Sequence, residues 1–261
     1  DSGAAPLIGD GTRVVDLDGR TVTPGLIDAH SHLESLGAAL ERVDLVGTGS
    51  YAEVIERIRE RADETPAGGW ILGRGWDQND WQVREFPHHR ELSAAVAEHP
   101  VWVTRIDGHA ALLNARAMEL LGVSAASVDP IGGRFVRDEA GEPTGVLIDT
   151  AMSVGSGIPD PSLRERERQI VAGARHCLER GLTTVTEMGI DQESYRAYRG
   201  LRRRGELPIR ASLFLDGSDE ALLDHWFDRG PELGGAARLE VRGIKLYSAG
   251  APGRKGQALE E

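Results

Sequence analysis

A single cysteine, Cys177, stands among the 261 residues, so an intrachain disulfide is excluded and the chain fits a reducing, cytoplasmic compartment. Cys177 falls on the apolar side of a predicted helix and reads as core filler rather than as a nucleophile. No apolar run approaches the ~20 residues that a membrane helix needs. The opening residues, Asp1-Ser2-Gly3-Ala4-Ala5-Pro6, have neither the charged start nor the apolar run of a signal peptide. They also lack an initiator Met, so a cut or incomplete N-terminus is expected. Positive charge is short as well: a net charge of -12 argues against nucleic acid or an anionic membrane as the main partner. Internal repeats and low-complexity tracts are missing. What remains is 40% hydrophobic and 28% charged, an ordinary globular balance with enough chain for one large domain or two small ones.

The chemistry concentrates in Pro24-Gly25-Leu26-Ile27-Asp28-Ala29-His30-Ser31-His32-Leu33. On a β-strand, side chains at i, i+2 and i+4 share a face. Asp28, His30 and His32 are therefore expected to point one way. Two imidazoles one pleat apart either grip one metal ion or form a solvated polar face. A second element is Lys245, in Gly243-Ile244-Lys245-Leu246-Tyr247. If Ile244 and Leu246 face covering helices, Lys245 faces the other side with Gly243 and Tyr247. An enclosed lysine is pushed toward its neutral amine, which reacts with carbon dioxide to give an anionic carbamate that can ligate metal. The alternative is a strand-end lysine in a salt bridge or reaching solvent.

Between and around these motifs the chain alternates. Residues 12–23 read as a hairpin about Asp18-Gly19. A capping box, Ser50 with Glu53, starts a helix over 50–63. A short strand over 70–73 leads into a loop containing Trp76, Asp77 and Trp81. Helical pattern follows at 91–98, a strand at 101–106 ending near His109, and a helix over 110–121 closed by Gly122. Residues 131–149 read as a second hairpin. From Ser162 onward the order is helix, strand, helix, strand, helix, strand, which implies parallel strands with crossover helices. His88, His89, His99, His176 and His225 read as surface or helix residues.

Several of these segments resemble one family. Asp28-Ala29-His30-Ser31-His32 is similar to the first metal motif of the amidohydrolase superfamily. Gly181-Leu182-Thr183-Thr184-Val185 resembles its second barrel strand, and Gly243-Ile244-Lys245-Leu246-Tyr247 the strand bearing its carbamylated lysine. Ile71-Leu72-Gly73-Arg74-Gly75-Trp76-Asp77, Asp107-Gly108-His109-Ala110, Asn114 and Gly145-Val146-Leu147-Ile148-Asp149 resemble the amidohydrolase-3, or YtcJ-like, branch, which includes N-substituted formamide deformylases. Two departures stand out: Ala249-Gly250 where the branch usually has Asp-Gly, and Thr186-Glu187 where a His-Asp pair is common.

The resemblance implies an α/β fold, a metal-containing TIM-like (β/α)8 barrel with a small β-sandwich. Here it implies about strands 1–4 of the barrel in residues 24–261, an insertion near 38–160, and a sandwich remnant in 1–23, as in a fragment of a longer protein. It implies His30, His32 and carbamylated Lys245 as ligands to one or two divalent ions, most simply zinc, with Asp28 orienting a histidine from behind. Trp76, Asp77 and His109 are expected to line the pocket of a small-molecule substrate. The proton-moving aspartate is expected beyond Glu261. The implied reaction is hydrolysis of a non-peptide C–N bond, amide in type, by metal-activated water. Lactone or phosphoester hydrolysis, or a non-catalytic metal- or ligand-binding role, stay open, as does assembly into a homo-oligomer.

Overall fold

Parallel strands with crossover helices, and a sheet inserted among them, carry the chain in a computed structural model that describes residue 3, residues 5–233 and residues 238–246. The first strand, β1 (Leu26–Ser31), runs into α1 (Leu33–Glu41). The insertion follows: β2 (Val43–Asp44), α2 (Tyr51–Glu64), β3 (Ile71–Trp76), α3 (His89–Ala95), β4 (Val101–Arg105), β5 (Ala110–Leu113), α4 (Ala115–Leu120), β6 (Gly133–Arg137) and β7 (Pro143–Asp149). The chain then returns through α5 (Leu163–Leu178), β8 (Leu182–Ile190), α6 (Gln192–Arg204), β9 (Arg210–Asp216), α7 (Glu220–Arg229) and β10 (Leu239–Lys245).

One sheet has the order β1-β8-β9-β10, with every neighbouring pair parallel. Sequential parallel strands joined by helices are the start of a (β/α) barrel, as expected. Its helix-facing side is apolar: Val185, Leu213, Leu215 and Val241 pack with Ile170, Ala174, Tyr198 and Leu201, and Cys177 fills the same core. Where α1 crosses α5, Gly37 and Gly173 bring the two backbones together. A methyl group at Gly37 would overlap the Gln169 carbonyl, and one at Gly173 the Leu33 carbonyl oxygen.

The inserted segment builds a mixed six-stranded sheet, β2-β3-β4-β5-β7-β6. It is buried on both faces, with Val54, Ile58 and Leu92 on one side and Ala117, Met118 and Phe135 on the other.

Three expectations are corrected. Residues 110–121 are not one helix: Ala110–Leu113 is a central strand, because an all-apolar run of four suits a strand covered on both faces as well as a helix. The helix begins only after Asn114, which caps it. The loop expected from Arg74 is still strand as far as Trp76, interrupted by a bulge against β4. The hairpin over 12–23 forms its turn but not its strands. Arg20 donates to the Leu17 carbonyl at 2.9 Å, and Asp18 and Gly19 have φ of 50° and 77°, yet Val14 and Val22 stay exposed and unpaired. A two-stranded ribbon with no layer to pack on is marginal.

Candidate metal centre at the β1–α1 junction

A bulge shapes the histidine segment. Asp28 pairs with Val185 and Ser31 with Glu187, so Ala29 and His30 of β1 oppose Thr186 alone on β8. Val185 and Glu187 face the helices, and Asp28 therefore lies on the helix side rather than on a common face with the histidines. Asp28 is near enough to Cys177 that its charge, after burial, is the next cause raising that thiol's pKa. The Asp28 carboxylate still acts on the motif, through the backbone: it accepts from the His30 N–H at 3.0 Å. His32 has left the strand and occupies the N-cap position of α1 with φ -130° and ψ 73°. The chain bend brings the two imidazoles edge to face, with centroids 5.7 Å apart. Both rings are exposed.

Lys245 closes the other edge of the same sheet, in register with Asp216 at the end of β9. A bulge between Val241 and Gly243 inverts the alternation of β10, so Ile244 aligns with buried Leu215 and Lys245 takes the opposite face. Lys245 is half-buried. In a parallel sheet its position and His30 lie toward the same C-terminal end, the catalytic end of such barrels. Tyr247, Ser248, Ala249 and Gly250 lie outside the described residues. Among the described residues, no three His, Cys, Asp or Glu side chains gather into a metal-binding group. The donors on hand are the two imidazoles, and neutral nitrogen suits zinc and similar divalent ions.

Beneath His32 sits a residue that sequence reasoning noted only as a departure. Glu187 is 3% exposed and accepts the N–H groups of Leu33 and Glu34, the latter at 3.2 Å. Glu34 is paired with Arg166 at 2.7 Å, and Arg166 also donates to Ser194 at 3.0 Å and approaches Asp191 at 3.4 Å. Burial pushes the Glu187 carboxyl up to about 7, against the pull of its two backbone donors. A carboxyl raised on folding binds its proton more tightly in the native state. Stability is therefore fullest below the unfolded value of 4.5 and declines as pH rises toward 7. The loss is on the order of 3 kcal/mol. Urea midpoints measured across that window are expected to fall with pH, and Glu187→Gln is expected to flatten the profile. An unchanged slope in that variant would assign the titration elsewhere.

The three expected pocket residues are placed on the insertion. Trp76 is fully enclosed, its indole N–H donating to the Val103 carbonyl at 2.9 Å, so it packs the core and presents no surface. Asp77 caps a short 3-10 turn over Gln78–Asp80, accepting from the Asn79 backbone at 2.9 Å. His109 is exposed, with Nδ1 2.7 Å from the Asp149 carboxylate. Asp149 holds that pair at φ 44° and ψ -117°, a conformation few non-glycine residues adopt. Arg105 grips Asp107 through two nitrogens at 3.0 and 2.6 Å and holds its carboxyl below the usual range, and Asp107 accepts the His109 N–H. His99, read as a surface or helix residue, is in fact buried, with its ring against the Gly69 carbonyl.

A cleft of about 1150 Å³ opens between the two sheets, walled by His32, Arg166, Glu187 and Asp216 on the barrel side and by Trp70 and Leu72 on the insertion. Trp76, Asp77 and His109 are not in its walls.

Comparison with known proteins places these features in context. A family model described as "Amidohydrolase family" matches residues 13–261. The protein LONG AFTER FAR-RED 3 of Arabidopsis thaliana is 34% identical over 95% of this chain and 44% of its own length. N-substituted formamide deformylase of Arthrobacter pascens is 28% identical over 82% of this chain and 40% of its own length. A crystal structure of an uncharacterized metal-dependent hydrolase from Pyrococcus horikoshii OT3 superposes with a TM-score of 0.71 at 29% identity, over 96% of this chain and 47% of that one. The chain thus spans less than half the length of these relatives.

Proposed function

The chain belongs to the amidohydrolase family, and from that premise we propose that the protein is a metal-dependent hydrolase of non-peptide C–N bonds in small molecules, amide in type. The observation that carries this is the His30–His32 pair: two adjacent imidazoles at the C-terminal end of a barrel strand, with His32 in a cap position whose side chain caps nothing. The likeness to a formamide deformylase supports the choice of bond.

His30 and His32 would hold the first divalent ion, zinc by donor chemistry. Lys245, as its carbamate, would offer anionic oxygens to a second. When bound, such an ion lowers the pKa of a water toward ~7 and polarises a carbonyl. The chain's own groups do the rest. Asp28 fixes the His30 backbone, and the Arg166–Glu34 pair anchors the first turn of α1. The cleft beside His32 is large enough for a small organic substrate. His109, fixed by Asp149, and Asp77, which caps its own turn, stand on the insertion outside the walls of that cleft. Function in the cytoplasm, and assembly with further copies, belong to the same reading.

The test is metal analysis and hydrolysis by the full-length protein. Zinc content of one or two ions per chain is expected, with turnover of N-substituted formamides above that of lactones or phosphoesters. His30→Ala and His32→Ala are each expected to lose the ion and the activity. If both retain hydrolysis at the parent rate, or if the parent binds no divalent ion, the proposal is wrong.

A further inference from the structure

An N-cap side chain ordinarily accepts an N–H from the first turn of its helix. His32 occupies that place on α1 and makes no such bond. The orphan N–H groups of Leu33 and Glu34 go instead to the Glu187 carboxylate on β8, 154 residues along the chain from Leu33. On the other side of His32, the Ser31 hydroxyl donates to the Thr186 carbonyl at 2.9 Å. The residues flanking His32 are thus fastened to two consecutive residues of β8. Glu187 sits almost fully buried on the helix side of that strand, facing α1, and its register partner there is Ser31.

An unsatisfied helix start draws in whatever acceptor is near, and the nearest candidate in sequence is the cap residue itself. A histidine ring committed to capping turns a nitrogen toward the helix. With Glu187 supplying both acceptor oxygens, that competition is removed. We infer that Glu187 is a positioning residue, which takes over the capping of α1 and so leaves the His32 imidazole free and oriented for a divalent cation. The inference rests on the reading of His30 and His32 as metal ligands and adds a residue to it.

The test is Zn²⁺ affinity of the full-length protein by chelator competition, with the Co²⁺ form read by its visible absorption. Glu187→Ala is expected to weaken Zn²⁺ binding by about 10- to 100-fold, the range for residues that orient metal ligands, and to change the Co²⁺ spectrum. Glu187→Gln keeps one of the two acceptor oxygens and is expected to recover part of the affinity. If Glu187→Ala does not fold, Glu187→Leu fills the apolar volume without offering an acceptor and takes its place. Leu201→Ala, in the same core on α6, controls for stability and is expected to leave affinity unchanged.

Parent-like Zn²⁺ binding in Glu187→Ala or Glu187→Leu, while His32→Ala loses the ion, overturns this inference and leaves the metal reading standing. So does an equal loss of affinity in Leu201→Ala. Full affinity in both His30→Ala and His32→Ala overturns the metal reading, and this inference with it.

Discussion

Gly37→Ala is expected to destabilise the protein by about 3 kcal/mol and to weaken whatever binds at His32. Alanine is the better helix former, worth ~1 kcal/mol in an exposed helix. Here packing outweighs propensity. A Cβ at Gly37 would meet the backbone carbonyl, carbon and Cα of Gln169, not the end of a flexible side chain. The reciprocal contact, Gly173 against the Leu33 carbonyl oxygen, is also too close for a Cβ. Neither helix can yield locally, so α1 must lift from α5. Its first turn, held by Glu187 and Arg166, carries His32 at its cap. The urea midpoint should fall with little change in slope, and metal affinity should fall with it. Gly37→Val, bulkier and β-branched, should be worse. Parent-like stability in Gly37→Ala would mean that the helices do not touch backbone to backbone.

Asn114→Ala is expected to cost roughly 4 kcal/mol, a large share of the 5–15 kcal/mol that stabilises a typical domain. Asn114 is fully buried and uses its whole side chain. Its oxygen accepts from Val101 and Ala117, both at 3.0 Å, and its nitrogen donates to the Val96 and His99 carbonyls, both at 2.8 Å. Alanine strands two N–H and two carbonyl groups in an interior closed to water. Asn114→Asp keeps the acceptor but sets a charge against two carbonyls, so it should be no better. Chemical denaturation at neutral pH measures both. A midpoint unchanged in Asn114→Ala would show that water replaces the amide without loss.

These two positions also show how far the residues could be read in advance. Gly37 carries no local sign of its role, since a glycine inside a helical pattern reads as a weakness until the partner helix is known. Asn114 lies inside a run that reads as a helix from Ala110, and only the neighbouring strands convert Ala110–Leu113 into sheet. Glu187 was visible as a departure in its strand, but its caps are 154 and 153 residues away in sequence. Trp76 and Asp28 went the other way: a place at a predicted strand end made Trp76 an expected pocket wall and it is core, and strict alternation put Asp28 with the histidines until a bulge moved it.

Local chemistry was enough to determine the alternation of helix and strand from Ser162 onward, the helix caps at Ser50 and Ser162, the pair His30 and His32, and the face taken by Lys245. Those features depend on residues a few positions apart, within reach of one turn or one pleat. Tertiary structure decided the rest. It set how close α1 and α5 lie, which carboxylate caps α1, where Asn114 spends its amide, and how the insertion faces the barrel across the cleft. Each of these joins groups that are remote in sequence. Their energies come from excluded volume and from satisfying buried donors, and neither exists until the chain has folded.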